Sequence, residues 1–111
     1  MNAQFTDSTP VGGTAAANTQ VVVTIVGVAL KRTRLTYLAL GFSAAAPAAP
    51  VQATIADGTT TIYLSVGSTQ AMIDAIAMVW ATGATVTITL PAGGGLTVGC
   101  VAGAYYQDGV N

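Results

Sequence analysis

Val51-Gln52-Ala53-Thr54-Ile55-Ala56, then Asp57-Gly58, then Thr59-Thr60-Thr61-Ile62-Tyr63-Leu64-Ser65-Val66 is the stretch on which the reading of this chain turns. Two alternating segments flank an Asp-Gly pair, the composition a two-residue type I′ hairpin turn demands because both central residues take positive φ. The stretch therefore predicts a β-hairpin, and with it an antiparallel sheet.

Downstream of the hairpin, Gly67 to Gln70 reads as a turn, with Ser68 or Thr69 also able to cap a helix. Ala71 to Trp80 fits two periods: Met72, Ile76 and Val79 suit a helical stripe, whereas Met72, Asp74, Ile76, Met78 and Trp80 fall on one face of a strand, and the extended reading is favoured. Thr82-Gly83 breaks this element. Ala84 to Leu90 then alternates Thr85, Thr87 and Thr89 against Val86, Ile88 and Leu90, as a half-buried strand does. Pro91 to Gly95 is a flexible turn, Leu96 to Tyr106 is the last strand, and Gln107 to Asn111 reads as a tail.

Upstream, Ser43 to Pro50 carries Pro47 and Pro50, which remove two backbone donors and mark a loop. Thr33 to Phe42 alternates, with Leu35, Tyr37, Ala39 and Gly41 on one face and Arg34, Thr36, Leu38, Leu40 and Phe42 on the other. Lys31-Arg32 reads as a polar turn, preceded by a strand over Gln20 to Leu30 rich in β-branched side chains. Residues 1–18 are small and polar, lack a sustained period and predict an extended N-terminal arm, either ordered by a partner or simply frayed. The expected organisation is thus an arm over 1–18 and one domain over 19–111. Six or seven short strands with turn signals every eight to twelve residues or so predict an all-β antiparallel sandwich or barrel.

Composition narrows what such a domain does. Charged residues are 6% of the chain and hydrophobic ones 52%, where soluble proteins average about 25% charged. Water-facing surface must then rest on Thr, Ser, Gln and Asn, or be covered by partners. Lys31, Arg32 and Arg34 are the cations, Asp7, Asp57, Asp74 and Asp108 the anions, and His and Glu are absent. A net charge of −1 offers no track for phosphates, so no nucleic-acid partner is expected. Scattered carboxylates without His supply neither an acid–base pair nor a metal site, so the expectation is a non-enzyme with no cofactor and no metal. The glycine run 91–95 lacks the Lys-Ser/Thr of a phosphate loop, and Asp57-Gly58-Thr59 is too sparse for a calcium loop. Cys100 lies in an apolar stretch and is expected to be a buried structural thiol.

Met1 to Gly13 has no basic start or apolar core and is not read as a signal peptide. Val21 to Leu30 is about half the length of a membrane-spanning helix, so no membrane partner is expected. Candidate partner-binding residues are Phe5 on the arm, the cations Lys31, Arg32 and Arg34, and Trp80. The cations read either as a solvated turn or as a dock for an acidic patch. Trp80, with Met72, Met78, Tyr105 and Tyr106, suits an interface centre or a core equally.

Residues 28–38 (Val-Ala-Leu-Lys-Arg-Thr-Arg-Leu-Thr-Tyr-Leu), 53–63 (Ala-Thr-Ile-Ala-Asp-Gly-Thr-Thr-Thr-Ile-Tyr), 84–94 (Ala-Thr-Val-Thr-Ile-Thr-Leu-Pro-Ala-Gly-Gly) and the closing Ala-Tyr-Tyr resemble small β-sandwich proteins of tailed bacteriophages. These are head decoration (cement) proteins and related head-fibre domains. The resemblance implies a jelly-roll-like sandwich on the outer face of the virion, commonly a homotrimer where three capsomers meet. Its partners would be the major capsid protein and copies of itself, with the arm as the gripping segment. A second reading is a receptor- or glycan-binding domain of a fibre or tail, with Tyr37, Tyr63, Trp80, Tyr105 or Tyr106 stacking on sugar rings.

Overall fold

The computed structural model describes residues 9–67, 70–73 and 78–109. They form an all-β structure of two antiparallel sheets packed face to face, and contain no helix. The strands are β1 (Thr9–Thr14), β2 (Val21–Ile25), β3 (Lys31–Ser43), β4 (Val51–Ala56), β5 (Thr61–Val66), β6 (Gln70–Ile73), β7 (Met78–Val79), β8 (Val86–Leu90) and β9 (Val98–Gly109). Sheet A runs β1-β9-β3, with β6 and β7 both on the far edge of β3; sheet B runs β2-β8-β4-β5. The pairs nest: β1 with β9, β2 with β8, β3 with β6 and β7, β4 with β5.

The alternation around Ile88 has the consequence expected of it. Val86, Ile88 and Leu90 are fully buried, and the threonines between them face outward. Opposite them, sheet A contributes Leu35, Leu38, Leu40, Phe42 and Val101, so the core is a layer of aliphatic side chains between the sheets. Each such side chain contributes about 1.5–3 kcal/mol when removed from water.

The faces of β3 are not those expected. Opposite β9, Leu35 pairs with Tyr105 but Tyr37 with Ala104, so Thr36 is an extra residue, a β-bulge. The bulge shifts the alternation by one: Thr33 and Leu35 point inward before it, Leu38, Leu40 and Phe42 after it, while Tyr37 and Ala39 point out. One uninterrupted period therefore misplaces half the strand. The Thr36 hydroxyl donates to the Ala104 carbonyl at 3.0 Å, across the bulge.

The 51–66 hairpin is present, with a different turn. Asp57 N–H donates to Thr60 O at 3.2 Å, so the central pair is Gly58-Thr59, and only Gly58 takes positive φ, at 91°. A type I′ turn over Asp57-Gly58 needs positive φ at both. The Asp57 carboxylate decides the difference, because its Oδ1 accepts from Thr59 N and Thr60 N at 2.9 and 2.7 Å.

Other boundaries move too. Lys31 and Arg32 are not a turn but the first residues of β3; the turn lies earlier, closed by Lys31 N–H donating to Val28 O at 3.1 Å with Leu30 at φ 65°. The first strand of the domain accordingly stops at Ile25. Thr9–Thr14, assigned to the arm, is an edge strand of sheet A, and Gln107 to Gly109, assigned to the tail, complete β9. Leu96 belongs to the turn before β9. Ala71 to Ile73 and Met78 to Val79 are extended, as favoured; the cap at 68–69, the middle of that element at 74–77, the arm over 1–8 and the last two residues lie outside the described residues.

Candidate interaction surface

The outward faces of the two sheets differ in chemistry. On sheet B, Thr24 sits opposite Thr87, Thr54 opposite Thr89, and Tyr63 opposite Thr54, so hydroxyl groups make up much of this face, with Val22 an exposed aliphatic beside Thr89. The hydrating surface that charges do not provide is found there. On sheet A the outward positions along β1, β9 and β3 include Gly12, Ala102, Ala39, Cys100, Gly41 and Ser43, which are small and uncharged.

Among the described residues, charge lies at one end. Arg32 pairs in register with Asp108 and Lys31 with Gly109. The Arg34 Nε donates to both carboxylate oxygens of Asp108 at 3.0 Å, and this hydrogen bond raises the guanidinium further above its ordinary value. Asp57 joins the same end, since its Oδ2 accepts from Ala81 N at 3.2 Å while Trp80 N donates to Thr33 O at 2.9 Å and Gly83 N to Lys31 O at 2.7 Å. The opposite end is built from the turns at 15–20, 44–50 and 91–97, which carry no charged residue.

The sequence-proposed residues separate accordingly. Arg34 is held by Asp108, Lys31 and Arg32 are exposed, and Phe5 lies outside the described residues. Trp80 is a correction: it is 3% exposed and packs in the core, so it offers no surface to a partner. Its buried Nε1 has no hydrogen-bond partner among the described residues. Cys100 is a second correction, half-buried on the outward face of sheet A rather than in the core, with Val101 pointing inward beside it. The aromatics do not form one row: Tyr63 lies on sheet B, Tyr37 and Tyr106 on the outward face of sheet A, and Tyr105 packs against the core.

Among the described residues no three His, Cys, Asp or Glu side chains gather as metal ligands. The two described carboxylates, Asp57 and Asp108, are each engaged as above. Concavities open at the surface beside the described residues. One, of about 250 Å³, lies on sheet A near the uncharged end and is lined by Ala39, Gly41, Phe42, Ser43, Cys100 and Ala102. Another, of about 400 Å³, lies beside the Asp57 turn, against Thr60, Ile62 and Val79.

Sequence reasoning missed the residues just before β3. Val26, Val28 and Leu30 are 69%, 42% and 76% exposed, although they lie in the run taken as a packed strand. The signal available was Gly27, which interrupts the β-branched run two residues after Ile25, the last buried residue of β2.

Comparison with protein-family models, curated proteins and solved structures gives no match.

Proposed function

We propose that this chain is a virion structural protein, of the kind that decorates the outside of a tailed-phage head and holds neighbouring capsomers by contact. The observation that carries the reading is the segregation of surface chemistry. Among the described residues, threonine hydroxyls make up much of the sheet B face and charge is gathered at one end, leaving a patch of sheet A away from that end, around Gly12, Ala39, Gly41, Cys100 and Ala102, small and uncharged. A surface of that kind associates, because little is lost in desolvating it and its backbone-close side chains permit near approach.

The nested strand pairing supports reading the sandwich as a jelly roll, in which one long antiparallel ladder is folded over so that β3 meets β9 and β4 meets β8. That architecture recurs in viral capsid domains and in lectins. The glycan-binding alternative gains little here, since the exposed Tyr37 and Tyr63 stand on opposite sheets and Trp80 is buried.

Electron cryo-microscopy of particles that carry the chain tests the reading. Expected is density for the sandwich on the outer shell, with sheet A against capsid or neighbouring copies. Density at a fibre tip, or particles from which the chain is absent, would overturn it.

A further inference from the structure

We propose that Asp108–Gly109 is a self-modification site, where the backbone of the folded chain isomerises through a succinimide ring to isoaspartate, and that the fold withholds the same reaction from Asp57–Gly58.

The chemistry is set by the sequence. Asp-Gly occurs twice, at 57–58 and at 108–109. The glycine amide nitrogen attacks the aspartate Cγ, an N–C bond forms, and one carboxyl oxygen leaves as water with the amide hydrogen and the carboxyl proton. Water then adds back at either ring carbonyl. Opening at the original backbone carbonyl leaves the chain running through Cβ, with mass and net charge unchanged. Glycine favours the attack because no Cβ shields its nitrogen. The reaction takes up and returns one water and needs no oxidant and no partner.

The two carboxylates are held in different ways. At Asp57, Oδ1 accepts from Thr60 N at 2.7 Å and Thr59 N at 2.9 Å, while Oδ2 accepts from Ala81 N at 3.2 Å. Both oxygens are thus tied to backbone of two separate segments, and cyclisation has to break all three bonds at once. The Thr60 and Thr59 bonds also keep this carboxyl ionised, and an ionised oxygen is a poor leaving group. At Asp108 both oxygens accept from one atom, Arg34 Nε, at 3.0 Å. That donor sits on a long side chain, the two side chains are 33% and 44% exposed, and an exposed pair of this kind restrains little. Gly109 is the last residue of β9, opposite Lys31 at the end of the ladder, and a Cβ placed on it would meet no atom within 4 Å. Strand ends open locally at small cost, so Asp108–Gly109 reaches the cyclising geometry while the sandwich stays folded.

The product alters the charged end. One methylene enters the main chain at the end of β9, and the carboxylate moves onto a branch shorter by that methylene, away from Arg34. The sheets and the core between them are untouched.

Peptide mapping of the full chain tests the assignment. Folded chain and chain held in guanidinium chloride are incubated at neutral pH and the same temperature, then digested, and electron-transfer fragmentation measures isoaspartate at each position. In denaturant, 57 and 108 are expected to convert at similar rates. In the folded chain, 108 should convert at least about tenfold faster than 57. Arg34→Ala should speed conversion at 108 by less than about threefold and leave 57 unchanged. Gly109→Val, which crowds the attacking nitrogen, should slow conversion at 108 by at least about tenfold. Equal rates in the folded chain, a faster reaction at 57, no product at 108 over a period in which the denatured chain converts, or a rate at 108 indifferent to Gly109→Val would overturn the proposal.

Discussion

Replacing Asp57 by alanine removes one carboxylate that accepts from three backbone N–H groups: Thr60 at 2.7 Å, Thr59 at 2.9 Å and Ala81 at 3.2 Å. The first two close the β4–β5 turn in sheet B. The third ties that turn to the segment leaving β7 in sheet A, so the substitution loosens a link between the sheets. A hydrogen bond to a charged group contributes about 1.5–3 kcal/mol. These donors lie near solvent, and water replaces much of what is lost, so the three together are taken as about 2 kcal/mol. For a chain of 111 residues that corresponds to a fall in melting temperature of roughly 8 °C. The pH dependence has a definite sign. The Thr60 and Thr59 hydrogen bonds, in that order, hold the Asp57 carboxyl below its ordinary value. The unfolded chain therefore binds the proton more readily, so the contribution is complete above the unfolded value, near about 4, and disappears as pH falls through the lower folded value. Thermal melts followed by circular dichroism from pH 7 downward should show a wide gap between wild type and Asp57→Ala that narrows in acid. Asp57→Asn should fall between the two. Coincident melts at pH 7, or a gap that stays constant into strong acid, would refute the reasoning.

Leu38→Ala, at a side chain with no exposure between the sheets, should cost about 3 kcal/mol in urea unfolding; a loss well under 1 kcal/mol would mean that the sheets do not pack there. Gly58→Val should lower stability by about 2 kcal/mol through the backbone alone, since φ is 91° and no atom crowds the added Cβ; an unchanged melting temperature would exclude that conformation. Arg34→Ala removes an ion pair whose side chains are 33% and 44% exposed, and no measurable shift in melting temperature is expected; a large loss would show that the pair holds the ends of β3 and β9 together.

Local pattern made several elements legible. The Thr/Val/Ile alternation of β8 and the two arms of the 51–66 hairpin were read correctly, because each is a short strand with one face in the core and no interruption. What escaped was whatever depends on pairing. Thr9–Thr14 holds Pro10, Gly12 and Gly13 and has no apolar alternation, and only the ladder with β9 makes it a strand. The bulge at Thr36 has no signature in composition, yet one additional residue exchanges the faces of β3. Lys31-Arg32 looked like a turn because two adjacent charges suit water; they occupy the exposed start of a strand, which suits water equally. Trp80 had interface-like neighbours in sequence, but its depth is set by packing against residues far along the chain. The gathering of the described charges at one end was invisible for the same reason, since Lys31, Asp57 and Asp108 come together only through topology.

Sedimentation equilibrium of three proteins tests most directly whether the uncharged patch around Ala39 and Ala102 on the outward face of sheet A is where this molecule meets its neighbours. Wild type and Thr24→Glu, which places charge on the hydroxyl-rich sheet B, should self-associate alike, whereas Ala102→Glu should be monomeric with its melting temperature unchanged. Equal association by all three, or a loss confined to Thr24→Glu, would contradict the account.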